Sequence, residues 1–134
     1  MKTQNLPIVL DHRSGIPIYL QIVEQVRRWV SNGDLHTGDQ LPTVRQIATE
    51  LRVNFNTVAR AYLELEHEGV IYKRQGQGTY VSAGALEASR RERRKAVAAW
   101  LEKALEEAAG YGMAASEVEE ICSQAMKRYK RDNS

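Results

Sequence analysis

The chain has 134 residues, 43% of them hydrophobic, which is room for one compact domain or one small domain plus an appendage. The 19 Lys and Arg against 17 Asp and Glu leave a net charge of only +2, so any argument for a polyanionic partner rests on where the charges sit. A single cysteine, Cys122, excludes an internal disulfide and any multi-cysteine metal site, and no apolar run approaches the roughly 20 residues needed to cross a bilayer. Residues 1–10 carry one lysine and no long apolar core, unlike a signal peptide, so the expectation is a soluble cytoplasmic protein.

Composition shifts near Ala83–Gly84. Residues 1–84 contain all three prolines and nine basic against eight acidic residues. Residues 85–134 contain no proline, ten basic and nine acidic residues, and much Ala, Glu, Lys and Arg. The expected domains are therefore 1–84 and 85–134, the second helical and interrupted once at Gly110-Tyr111-Gly112.

In chain order, Pro17 opens a helix running to about Ser31, with Ile18, Ile22, Val26 and Val30 at steps of four and Gly33 as its stop. Thr43 and Gln46 have capping-box spacing, starting a short second helix whose apolar face is Val44, Ile47, Ala48 and Leu51. Asn54 is a good cap for a third helix, with Val58, Ala61, Tyr62 and Leu65 turned inward. Asn56, Arg60, Leu63 and His67 fall on its opposite face, and Gly69 ends it. Two strands fit residues 70–74 and 79–82, joined by the flexible tip Gln75-Gly76-Gln77-Gly78. Three helices and then a hairpin, with a tight turn between helices two and three, is the order of a winged helix-turn-helix.

Such a motif binds DNA by placing the amino-terminal end of helix three in the major groove. Here that end carries Asn54, Phe55, Asn56 and Thr57, with Arg60 one turn later. Asn pairs bidentately with adenine, and Arg with guanine or phosphate. Arg45 stands at the start of helix two, where the helix dipole also favours phosphate. Lys73 and Arg74 precede the hairpin tip, a placement suited to backbone or minor-groove contact. Each residue also has a plainer reading: Asn54 as a cap, Arg45 and Arg60 as solvated charges, Lys73 and Arg74 as edge-strand charges that deter aggregation. Their position on one side of a single motif favours the DNA reading.

The run Ser14-Gly15-Ile16-Pro17-Ile18-Tyr19-Leu20-Gln21-Ile22 resembles the opening of GntR-family regulators. So do Gly38-Asp39-Gln40-Leu41-Pro42-Thr43-Val44-Arg45-Gln46-Ile47-Ala48, Val53-Asn54-Phe55-Asn56-Thr57-Val58 and Glu68-Gly69-Val70-Ile71. Arg74-Gln75-Gly76-Gln77-Gly78-Thr79-Tyr80-Val81 resembles that family's wing. The two-helix tail resembles the YtrA-type subgroup, whose C-terminal part serves mainly in dimerisation. The resemblance implies a homodimeric repressor on a roughly palindromic double-stranded DNA operator. It assigns DNA contacts to Arg45, to Asn54, Asn56 and Thr57, and to Gln75 and Gly76. Phe55 and Ala59 depart from the pattern, standing where members often carry Arg or Pro and Arg respectively. Phe55 meets a thymine methyl or, more simply, packs under the turn.

The expected fold class is thus mainly α with a small β-hairpin: a winged helix-turn-helix followed by a two-helix dimerisation region. Val97, Leu101, Ala104, Leu105 and Ala108 make one tail stripe, with Trp100 beside it as an interface or core residue. Val118, Ile121, Cys122, Ala125, Met126 and Tyr129 make the second, with Ser116 and Glu119 as a capping box. Two helices of this size expose more apolar surface than they bury against each other, so either the winged domain or a second subunit is expected to cover them. Cys122 on an apolar stripe reads as a buried structural thiol. Arg90, Arg91, Arg93, Arg94 and Lys95 are either a solvated helix start or an extension of the DNA footprint.

His12, His36 and His67 lack a second ligand at metal spacing, and no phosphate loop or nucleophile elbow occurs, so neither cofactor, metal nor enzyme activity is expected. A DNA-free interaction adaptor is the competing class, favoured only by Leu63 on the exposed face of helix three. An unidentified small-molecule effector, bound between the terminal helices or at a dimer interface, is a third reading for which no polar residues converge in sequence.

Overall fold

Pro17, with its fixed φ, sits immediately before helix α1 (Ile18–Asn32), and Gly33 closes the helix in the left-handed conformation at φ 84°. The computed structural model describes residues 7–134; residues 1–6, the first part of the stretch read as lacking a signal sequence, lie outside it. Ile22, Val23, Val26 and Val30 are the buried apolar face of α1, while Ile18 is only partly covered. The segment before α1 is tied back by two glutamines. Gln25 accepts from the Val9 amide at 2.9 Å and donates to its carbonyl at 2.7 Å, and Gln21 does the same for Asp11 at 2.8 and 2.9 Å.

Helix α2 (Val44–Leu51) begins with the expected capping box. The Thr43 hydroxyl accepts from the Gln46 amide at 3.0 Å, and the Gln46 side chain accepts from the Thr43 amide at 2.8 Å. Arg52 ends α2 at φ 56°, the only described non-glycine residue with positive φ. This reversal leads in three residues to helix α3 (Phe55–His67), where the Asn54 side chain accepts from the Asn56 amide at 2.8 Å. Val58, Ala61, Tyr62 and Leu65 are buried as the helical spacing requires.

The sheet has one more strand than the hairpin read from sequence. Strands β2 (Ile71–Arg74) and β3 (Gly78–Val81) pair antiparallel, and β1 (Gln40–Leu41) joins the other edge of β3, giving the order β1-β3-β2. Two residues are too few for alternation to reveal β1, yet β1 brings Leu41 into the core and locks the entry to α2 onto the wing. Leu35, Val70, Ile71 and Val81 complete that core with the three helices. Each fully buried Ile, Leu or Val there contributes roughly 1.5–3 kcal/mol of apolar burial.

Two polar ties were invisible in the sequence. The Arg27 guanidinium on α1, only 8% exposed, meets Glu68 in a two-pronged pair, with Nε donating at 2.8 Å, and also reaches Glu24. Burial alone would lower the arginine pKa, but the hydrogen bonds and charge of Glu68, with Glu24 and Glu92, raise it above its ordinary value. The Tyr62 hydroxyl donates to the Pro42 carbonyl at 2.5 Å, stitching α3 to the loop before α2, and burial pushes this phenol well above its usual 10.0.

Helix α4 (Ala85–Gly110) follows, then helix α5 (Ala115–Asp132). The chain forms two compact units, Met1–Arg93 and Arg94–Ser134, divided within α4. Ala85, Ala88 and Ser89 of α4 are buried in the first unit. In the second unit, Tyr111 and Gly112 make the turn. The capping box read at Ser116 and Glu119 does not form. The N-cap is Ala114, so Ser116 lies inside the first turn, where its hydroxyl cannot cap the helix. No residue of α5 is buried within one chain, and Cys122, read from its stripe as a buried thiol, is exposed there.

Candidate nucleic-acid interface

The amino-terminal end of α3 is open. Asn54 spends its side-chain oxygen on the cap, and among the described residues neither its amide hydrogens nor the exposed Asn56 side chain has a hydrogen-bond partner. Thr57, in the same turn, is partly buried. Phe55 does not pack under the turn: it is 48% exposed and carries the Arg45 guanidinium over its ring, 5.7 Å from the centroid. This contact joins the first turn of α2 to that of α3, and it gives the aromatic residue a role the sequence reading did not foresee.

Arg60, one turn along α3, is seated similarly. Its guanidinium lies 3.8 Å from the centroid of the Tyr19 ring on α1, and its Nη2 donates to the Tyr19 hydroxyl at 3.2 Å. On the wing, Arg74 lies 5.7 Å from the centroid of Tyr80. Tyr80 in turn packs 5.8 Å from Tyr72 across the strand pair and donates to the Gln77 carbonyl at 2.9 Å. Gln40 donates to the same carbonyl at 3.2 Å. A Cβ on Gly78 would stand 2.7 Å from Gln40 Nε2, and its φ of 114° is one that side chains rarely adopt, so glycine is required there. The wing tip, with Gln75 and Gly76 exposed, is therefore braced at its base by Gln40, Gln77 and Tyr80, while Lys73 and Arg74 project from β2.

The contrast with Arg27 is electrostatic. Arg27 is neutralised by two carboxylates. Arg45, Arg60 and Arg74 rest on aromatic rings, and among the described residues no carboxylate pairs with them or with Lys73. Stacking orders a planar guanidinium without cancelling its charge, leaving its hydrogen-bond donors for an anion. Sequence spacing signalled where these arginines lie, but not their aromatic seats, because Tyr19 is 41 residues from Arg60.

The other side chains singled out in the sequence are described unit by unit. Leu63 is 65% exposed on α3. In the second unit, Val97, Trp100, Leu101 and Leu105 of α4 are exposed, as are Ile121, Cys122, Ala125, Met126 and Tyr129 of α5, with Val118 partly covered. Among the described residues, no three His, Cys, Asp or Glu side chains group to hold a metal ion, and no helix is long and apolar enough to cross a membrane. A cleft of about 320 Å³ opens beside the end of α1, with Ser31, His36, Thr37, Leu86 and Arg90 among its walls.

A winged helix-turn-helix with a two-helix tail is the class of protein that this fold defines. Residues 18–81 match the model for bacterial regulatory proteins of the gntR family. The transcriptional repressor YtrA of Bacillus subtilis strain 168 is 47% identical over 78 residues, which are 58% of this chain and 60% of the relative. The chain thus spans less than two thirds of that curated relative's length. Among solved structures, a transcriptional antiterminator from Listeria monocytogenes EGD-e superposes with a TM-score of 0.69 at 27% identity, over 92% of each chain. YtrA from Sulfolobus acidocaldarius, a GntR-family transcription factor, superposes at 0.55 with 34% identity over 69% of this chain and 97% of its own. The chain belongs to the GntR family, in its YtrA-type branch. These relatives are named as transcription regulators, not enzymes.

Proposed function

We propose that two copies of this chain bind a palindromic DNA operator in the cytoplasm as a homodimer and repress transcription from it. Helix α3 of each copy enters a major groove, presenting Asn54, Asn56 and Thr57 to base edges while Arg45 and Arg60 engage phosphates. Lys73, Arg74, Gln75 and Gly76 place the wing on the adjacent backbone or minor groove. The tails join the copies through Val97, Trp100, Leu101 and Leu105 of α4, and Val118, Ile121, Cys122, Ala125, Met126 and Tyr129 of α5. One observation carries this reading: three arginines bordering the open end of α3 and the wing are ordered on aromatic rings with their charge unneutralised. That arrangement keeps fixed positive charge and unspent hydrogen-bond donors at the surface, which suits a polyanion.

The exposed Leu63 favours a second reading, an adaptor that docks a protein on α3. Selection of bound fragments from a random duplex library separates the two. A regulator enriches two inverted half-sites, centred about one helical turn or a multiple apart. No enrichment over input refutes the regulator and leaves the adaptor.

A further inference from the structure

Tyr19 was not among the residues that sequence spacing marked for DNA. It is the second residue of α1, partly buried, with its ring under Arg60 and its oxygen accepting from Arg60 Nη2 at 3.2 Å. A phenol that accepts a hydrogen bond still has its own proton to give. No described group accepts that proton, and among the described residues Arg60 makes no other hydrogen bond or ion pair. The charge of Arg60 also polarises the phenol, strengthening it as a donor.

We propose that Tyr19 and Arg60 form one phosphate clamp spanning α1 and α3, in which the Tyr19 O–H and a free guanidinium N–H donate to a single DNA backbone phosphate. This deepens the proposed DNA-binding role and rests on it. The acceptor must be an anion with several oxygens in one place, because two donors converge from a pair already fixed in the free protein. A base edge offers neither that charge nor that tetrahedral spread of acceptors. Preorganisation matters here, since a free arginine surrenders rotamer entropy on binding that a stacked one has already lost. The clamp also extends the footprint from the helix-turn-helix to α1, contributing affinity without reading sequence.

The test measures binding of the full chain to a random-sequence duplex across a salt series, for the wild type, Tyr19→Phe, Arg60→Ala and the double variant. Phenylalanine keeps the ring beneath Arg60 and removes only the hydroxyl, and thermal unfolding of each free variant checks that the fold is kept. Arg60→Ala is expected to lower the slope of log affinity against log salt by about 0.9, the signature of one lost phosphate. Tyr19→Phe is expected to weaken binding roughly two- to tenfold with the slope unchanged, because the lost donor is neutral. In the Arg60→Ala background the same change should cost less than in the wild type, since the two donors act as a unit. If Tyr19→Phe binds like the wild type, or if its effect is the same with and without Arg60, the clamp is overturned while DNA binding stands. If the wild-type chain itself binds no duplex, the clamp and the regulator reading fall together.

Discussion

The unit ending at Arg93 and the unit beginning at Arg94 satisfy their apolar residues in opposite ways. In the first, α1, α2, α3 and the three-stranded sheet bury Ile22, Val26, Ile47, Val58, Leu65, Val70 and Val81 among themselves. Its deepest charges, Arg27 and Glu68, pair with each other. In the second, Trp100 is 60% and Tyr129 62% exposed, and α5 has no buried residue at all. A helical pair with bare stripes has little to offset its conformational entropy. The first unit is closed on itself and carries ordered, unneutralised arginines on its surface. The second reads as half of an interface, in keeping with the proposed homodimer.

The largest effect should come from spoiling the tail. Leu101→Asp combined with Met126→Asp places charges on both stripes, and if these join two copies it should abolish association. Linked half-sites then bind separately, and operator affinity should fall about 10²- to 10⁴-fold. Circular dichroism and denaturation of the winged unit should be little changed. An unaltered mass in sedimentation would mean that the stripes do not hold copies together.

Within the first unit, Glu68→Ala strands the Arg27 charge and should cost about 3–5 kcal/mol in chemical denaturation. A loss below about 1 kcal/mol would show that water or Glu24 compensates the arginine, and that this unit is less closed than described. Smaller still is Tyr62→Phe, which leaves the Pro42 carbonyl without its donor and should cost about 1–3 kcal/mol. Tyr62 also makes stability depend on pH. Its folded pKa lies above the ordinary 10.0, so its contribution is complete below pH 10 and is lost as pH rises beyond that, where the unfolded phenol ionises and the folded one does not. Tyr62→Phe should therefore lose less stability than the wild type between neutral pH and alkali, and an identical decline would contradict the buried phenol.

What the sequence disclosed was local. The Thr43–Gln46 box, the Asn54 cap and the four inward residues of α3 depend on neighbours within a turn or two, and the structure has them as read. The failed Ser116 cap is also local, but two alanines precede it and the helix reaches back to Ala115, moving the serine out of the capping position. Strand β1 escaped because a two-residue strand has no period. The Arg27–Glu68 pair and the Tyr19–Arg60 stack each join residues 41 apart, with no pattern in one sequence to connect them. Phe55, a departure from the family pattern, was legible as a position but not as the seat of Arg45.

In the proposed function two copies act together on one duplex. The most direct test is the mass of the complex between the full chain and a single duplex bearing the selected site, measured by sedimentation at protein excess. Two chains per duplex are expected, with no appreciable one-chain species at intermediate ratios. One chain per duplex at saturation, or two chains filling independently, would contradict it.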